Sequence, residues 1–435
     1  MPSIACYTLG CKVNQYDTQA MLESFINAGY TPVSFKKKAD VYLINTCTVT
    51  GTSDKKSFQI IRRMKREHPT CELIIAGCLA QRNRDGFKDN GARLIIGTQN
   101  RSRIVELFHE ALKSDVTIND VRPIGNAVYE PLHACSCEGK TRATLKIQEG
   151  CGNRCAYCVV PITRGHARSR RFPDIISEAE ALIKAGYKEL VLTGIHLSSY
   201  GPDLEEGHCL ADVVTAVNAL PGIERIRLGS LEPGLITPDF TKKLASAEKL
   251  CPHFHPVLQS GSDTILRSMG RKYDIATFLR SVSLLRSYFP GASITTDVIA
   301  GFPGETEANH RETLSVLESV GFAKLHVFPY SVREGTRAAS LPDQLTEAVK
   351  EDRAREITRL GRKTAARYRE EFIGTVKHVL FESFNNGYYE GYTGEYVKVL
   401  ARNAVPGQVL SVSIKSLLRD GERMLGDIIP DEPDG

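Results

Sequence analysis

No stretch of the sequence approaches the run of about 18 apolar residues that a membrane-spanning helix needs. The first residues, MPSIACYTLGC, lack the basic region and apolar core of a secretory signal, so a cytoplasmic protein is expected. That compartment keeps thiols reduced, which argues against disulfides as the use of the 12 cysteines. A fourth cysteine is also missing where one is wanted. The stretch CGNRCAYC holds Cys151, Cys155 and Cys158, yet the next cysteine is Cys209 and the only nearby imidazole is His166. A structural zinc site takes four ligands, so this loop is one short.

A strong net charge is absent too. The chain has 56 Lys+Arg against 51 Asp+Glu, unevenly spread: residues 1–150 hold 21 against 15, and residues 371–435 hold 6 against 10. A basic front permits a nucleic-acid partner without demonstrating one.

The 435 residues are too many for one core, and three segments are read. Residues 1–115 alternate short apolar strands with helices, the pattern of a parallel α/β sheet. Cys11, Cys47 and Cys78 each end a strand, where open α/β sheets bind ligands. Cys6 and Cys71 read as small buried hydrophobes. Residues 116–140 form a linker with Cys135 and Cys137. Residues 141–370 repeat strand and helix six times, a partial (β/α)6 barrel rather than the closed eightfold one. Polar residues stand at every strand end: Cys151 onward, Thr193 and Gly194, Ser230 and Glu232, Gln259 and Ser260, Asp297 with Gly301, and Tyr330 with Arg333. A helix rich in arginine follows, read as a solvated face. Residues 371–435 switch to short alternating strands, a small all-β barrel of the oligonucleotide-binding kind.

The missing ligand has a chemical reading. Iron–sulfur clusters are held by cysteine thiolates, and three thiolates on a four-iron cluster leave one iron open. S-adenosylmethionine can chelate that iron through its amino and carboxylate groups and, once reduced, yield a radical. Tyr157 would lie against its adenine. Thr193, Gly194, Ser230, Glu232, Gln259, Ser260 and Asp297 are the other candidates for holding it.

The loop resembles that of radical S-adenosylmethionine enzymes, and the whole chain resembles the methylthiotransferases among them. TLGCKVNQYDT, INTCTVT and AGCLAQR match that family's N-terminal domain. LVLTGIHLSSYG, RIRLGSLEP, HPVLQSGSDTILRSMGRKY, TTDVIAGFPGET and HVFPYSVREGTRAA match its catalytic domain, and the β segment is similar to its TRAM barrel. The resemblance implies a second 4Fe-4S cluster on Cys11, Cys47 and Cys78, two S-adenosylmethionine molecules per turnover, a tRNA substrate, a sulfur source, and an electron donor such as flavodoxin or ferredoxin. CKVNQYDT and LTGIHLSSYG look most like the branch that modifies threonylcarbamoyladenosine. The isopentenyladenosine branch typically has Gln-Met in place of Lys12-Val13, and a third branch modifies a ribosomal-protein aspartate. Other classes left open are a non-catalytic iron–sulfur RNA-binding protein and a radical methylase. A threonylcarbamoyl group carries a carboxylate, for which Arg333, Arg164 and Arg168 are candidates, the last two also for phosphate. Tyr388, Tyr389, Tyr392 and Tyr396 are candidate platforms for stacked bases.

Overall fold

A computed structural model describes residues 1–87, 90–125, 127–134 and 141–430. Cys135 and Cys137 lie outside the described residues.

The strand Val41–Thr46 is buried along its length, and Glu72–Gly77 is buried from its second residue on. Alternate side chains of a strand go to opposite faces, so such runs build two cores. Tyr42, Ile44, Leu73 and Ile75 pack with Ile61 and Met64 of the helix Gly51–Glu67. Leu43, Ile74 and Ala76 pack on the other face with Met21 and Phe25 of Lys12–Asn27 and Phe108 of Ile104–Ser114. The sheet has six parallel strands, with Ser3–Thr8, Val41–Thr46 and Glu72–Gly77 adjacent. Its last edge strand, Ile118–Asp120, falls in the stretch expected to be linker. Three residues carry too little pattern to read as a strand.

The central segment has the six expected strand–helix units, all paired parallel. Arg142–Lys146, Glu189–Thr193 and Arg225–Leu228 form one sheet. Ser230–Leu231, His253–Pro256, Ser293–Ala300 and Lys324–Pro329 form the next, so the third strand is broken at Gly229. Among the described residues the first and last strands are not paired, and the barrel stays open there. The helix Lys12–Asn27 packs against Arg142–Lys146 at that open side. The joint is ionic and buried: Lys146 Nζ lies 2.6 Å from Asp17, and Arg164 lies 3.1 Å from Asp17 and 2.6 Å from Glu149. The helix Glu347–Glu370 packs on the last two strands. Its arginines are not all solvated, for Arg353 bonds Glu305 at 2.8 Å.

Five strands from Val376–Asn385 to Arg423–Ile428 close into a small barrel around Val379, Phe381, Val399, Val412, Ile414 and Met424. It sits under the amino ends of the central strands. Arg225 donates to the Tyr392 and His378 carbonyls at 2.8 and 2.6 Å, and Arg227 to the Gly394 carbonyl at 2.8 Å. Tyr392 and Tyr396 stack on each other at 4.8 Å, with Arg142 5.0 and 5.1 Å from their rings and Arg227 4.5 Å from Tyr396. Both rings thus serve this joint, not open stacking platforms. Tyr388 and Tyr389 lie away from it, beside Arg402 and the exposed Phe384.

Candidate active site

Adjacent parallel strands bring three distant thiols to one sheet edge. Cys11, Cys47 and Cys78 follow the carboxyl ends of Ser3–Thr8, Val41–Thr46 and Glu72–Gly77. Each thiol lies within electrostatic reach of the other two. Gly10 permits the approach: its φ is +102°, and a Cβ there would fall 2.9 Å from Cys47 Sγ. Cys47 and Cys78 are buried and Cys11 is exposed. Burial pushes the Cys47 thiol up to about 11. Arg164 Nε donates to Cys78 Sγ at 3.2 Å.

The second trio lies in the loop after Arg142–Lys146. Its backbone is pinned on both sides: Ala156 N–H donates to Met269 O at 2.8 Å, and Ala156 O accepts from Ala338 N–H at 2.8 Å. Gly150 (φ +68°) lets the chain enter the loop, since a Cβ there would meet the His166 carbonyl at 1.9 Å. Cys151, Cys155 and Cys158 are half-buried and mutually within electrostatic reach. Burial raises Cys158 to about 12. Arg271 donates to Cys155 Sγ at 3.1 Å and grips both oxygens of Glu232 at 2.7 and 2.6 Å. Glu232 also accepts from Asn153 at 3.1 Å and faces His196 at 3.3 Å. Burial opposes its charge, yet His196 and Arg271 hold its carboxyl below the usual range. His166 bonds the Gly125 carbonyl instead of approaching the thiols.

Each trio offers three thiols, the donor set that leaves one iron of a four-iron cluster open. Among the described residues no three His, Cys, Asp or Glu side chains are close enough to hold a single metal. Thiolates around a four-iron cube stand farther apart than around one zinc. Burial raises the thiols of Cys11, Cys47, Cys151 and Cys158, so they become ligands only where a metal centre displaces their protons, and the Gly10 cradle keeps the space beside Cys47 clear.

A cavity of about 590 Å³ runs inside the barrel from the Cys11 loop down to the small β barrel. Cys11 lines one end, with Thr193, Gly194, Ser230 and Asp297 of the expected set, and Lys12 reaches from there toward Arg227, His253 and His326. His253, His255, Lys324 and His326 line it further down, ending at Glu395 and Tyr396. Strand alternation explains this wall: His253 and His255, Thr295 and Asp297, and Lys324 and His326 are each two apart and share the inner face. His255 bonds Thr295 at 2.9 Å and lies 3.4 Å from Asp297. Burial, then Arg227 and Lys12, hold His253 well below the usual histidine range, so it is neutral. Burial, then Arg227 and Arg142, bring Lys12 down to about 8. Sequence reasoning did not find this row; its two-residue spacing is legible, but whether a strand's face turns into a cavity is not.

Other expected residues stand off the cavity wall. Glu232 serves the Cys155 loop. Gln259 is buried with φ +67°, strained for a side-chain-bearing residue, its N–H on the Asp297 carbonyl at 2.9 Å. Ser260 is buried against Thr313. Tyr157 packs edge-on to Phe302 at 6.5 Å. The three arginines expected to meet substrate are occupied within the chain. Arg333 pairs with Asp54 and donates to Thr48 at 2.7 Å. Arg164 is spent on Asp17, Glu149, Asn14 and Cys78. Arg168 donates to the Arg164 and His166 carbonyls at 2.9 and 3.1 Å. Buried guanidiniums need partners, and these found them within the chain, Arg333 and Arg168 each keeping an unbonded Nε.

The three-cysteine loop on an open six-strand barrel defines a class, and the comparisons agree with it. The profile described as "Radical SAM superfamily" matches residues 145–317, and that described as "Uncharacterized protein family UPF0004" matches residues 3–97. Membership of this superfamily carries S-adenosylmethionine and an iron–sulfur cluster. The chain is 40% identical to the threonylcarbamoyladenosine tRNA methylthiotransferase MtaB of Bacillus subtilis over 95% of this chain and 94% of the relative. It is 36% identical to the tRNA-2-methylthio-N(6)-dimethylallyladenosine synthase of Syntrophomonas wolfei, over 86% and 85%. The fold is similar to the radical S-adenosylmethionine methyltransferase TsrM of Kitasatospora setae, with TM-score 0.55 and 14% identity over 78% and 75% of the two chains. The chain belongs to the radical S-adenosylmethionine methylthiotransferase family.

Proposed function

We propose that this protein transfers a methylthio group to C2 of N6-threonylcarbamoyladenosine beside the tRNA anticodon. The carrying observation is the cavity, which has Cys11 and the barrel's strand-end polar residues on one wall. The 40% identity to a relative bearing that activity in its name supports the substrate. Cys151, Cys155 and Cys158 would hold one 4Fe-4S cluster, and Cys11, Cys47 and Cys78 a second. When bound, these clusters and two S-adenosylmethionine molecules supply the reducing, radical and sulfur chemistry. The chain's own residues orient and shield. Arg271, Glu232, His196 and Asn153 fix the Cys155 loop, and the Ala156 backbone bonds lock it to the barrel. Tyr157, Phe302 and Tyr330 pack behind the loop and exclude water. Thr193, Gly194, Ser230 and Asp297 would contact the nucleosides. An electron donor such as flavodoxin or ferredoxin and a sulfur source complete the reaction, in the cytoplasm.

Mass spectrometry of tRNA nucleosides from a strain lacking this gene tests the reading. Methylthio-threonylcarbamoyladenosine should vanish and return with the gene. Loss of methylthio-isopentenyladenosine instead would transfer the reading to the other branch. Cleavage of S-adenosylmethionine by reduced protein separates both from a non-catalytic RNA-binding role.

A further inference from the structure

We propose that Lys12 reads the carboxylate of the threonylcarbamoyl group, an assignment that rests on the substrate reading above. Lys12 directly follows Cys11, and both line the central cavity. In adenine, C2 and the carbon bearing N6 flank the same ring nitrogen. A side chain that reads the N6 substituent must therefore stand next to the group that serves C2. Lys12 shares the cavity wall with Cys11 and extends into the same space toward Arg227, so it can meet the N6 substituent of a base held at Cys11, whereas Arg333 at the Asp54 seam cannot.

Its charge is also the one left over. Among the described residues the Lys12 side chain makes no ion pair or hydrogen bond. Its electrostatic neighbours are Arg227 and Arg142, against the single carboxylate of Glu189. Glu189 is already shared: Arg227 binds it at 2.7 and 3.3 Å, and Arg225 and Arg142 lie 3.8 and 3.9 Å away. Arg142 also binds Glu382 at 2.6 Å, and of the acids on the cavity wall Glu395 is bound by Lys377 and Asp297 faces His255. Three arginines and Lys12 around Glu189 and Glu382 leave this end of the cavity with an excess of positive charge. An anionic ligand group would offset it, and an isopentenyl group would not. Lys324 also lines the cavity without an ion pair among the described residues, but it is exposed, where RNA phosphate can reach it. Arg369 is held by the Gly421 carbonyl at 2.8 Å.

The test is binding to iron-loaded protein, with no turnover. Fluorescent anticodon stem-loops carry adenosine, threonylcarbamoyladenosine, or the methyl ester of the latter. The parent should prefer the free carboxylate to the ester by about tenfold or more, the scale of one charge-assisted hydrogen bond. Lys12→Gln should erase that preference, and Lys12→Arg should retain most of it. Iron content must equal the parent's in each variant, because Cys11 is adjacent; Lys12→Met replaces the glutamine variant if that one loses iron. A glutamine or methionine variant that keeps the parent's preference overturns the assignment. So does equal weakening for all three RNAs, which marks a phosphate contact. A parent that binds all three alike overturns the substrate reading and this assignment together.

Discussion

Arg333 leaves the last barrel strand with its guanidinium on Asp54 and Thr48, tying the loop after Cys47 to the barrel. Ser331 helps by accepting the Gly51 N–H at 3.0 Å. Asp54 keeps Arg82 at 3.5 Å, so Arg333→Ala should cost about 1 kcal/mol of stability, the typical worth of a lost hydrogen-bonded partner. Thermal unfolding checks this, and the preference for modified RNA should be unchanged. Arg164 carries more. Its loss strips one of three cations from Asp17 and Glu149, which Lys146 and Arg101 also hold, and removes the bond to Cys78. Arg164→Met should cost about 3–5 kcal/mol, as breaking a buried ion pair does, and lower the iron retained by the Cys11, Cys47 and Cys78 trio. Full stability with full iron would refute that role. The sequence made these arginines visible as cations near motifs. It could not say which had carboxylates waiting, because Asp54 lies 279 positions from Arg333. Lys12 was legible as a difference between branches, and only the fold shows it unpaired beside Cys11.

At the scale of elements, the joint between the first helix and the barrel is polar as well as ionic. The Tyr16 hydroxyl of Lys12–Asn27 lies 2.5 Å from the Leu132 carbonyl and about 3.0 Å from Glu178 of Phe172–Lys184, two acceptors that share its one proton. Arg170 also pairs with Glu178. Burial opposes the Glu178 charge, but His133 and Arg170 hold its carboxyl below the usual range. A depressed carboxyl adds stability above its unfolded pKa of about 4.3. That stability is lost as pH falls through the lower folded value. Cluster-free protein should thus lose this joint on acidification below about pH 4, and Glu178→Gln should show a flatter stability curve there. An identical acid limb in both proteins would remove Glu178 from the account. The same elements show what pattern can deliver. Six strand–helix units and three strand-end cysteines follow from period-2 apolar runs and turn residues, because parallel strands share a direction. The edge strand Ile118–Asp120 and the packing of residues 129–134 do not. Their order comes from distant partners, Leu94–Ile96 for the strand and Tyr16 and Lys146 for residues 129–134, and carries no local periodicity.

For the whole molecule, the arrangement predicts a division of labour between the trios. Cys151, Cys155 and Cys158 belong to a loop fastened to the barrel by Ala156, Arg271 and Glu232. Cys11, Cys47 and Cys78 belong to another sheet, and only Cys11 reaches the cavity wall. Neither Cys47 nor Cys78 is part of the two apolar cores of that sheet. Replacing all three with alanine should therefore leave the sheet folded, with a small loss from packing. Two four-iron clusters give about eight irons per chain, and either triple variant should retain about four. The Cys11, Cys47 and Cys78 variant should still cleave S-adenosylmethionine to 5′-deoxyadenosine when reduced, because the barrel loop is untouched. It should form no methylthio-nucleoside. The Cys151, Cys155 and Cys158 variant should do neither. Iron analysis, chromatography of the deoxyadenosine and nucleoside mass spectrometry read the three outcomes separately. Methylthiolated product from the first variant, with free sulfide excluded, would show that the thiols at the sheet edge are not the route by which sulfur reaches the cavity.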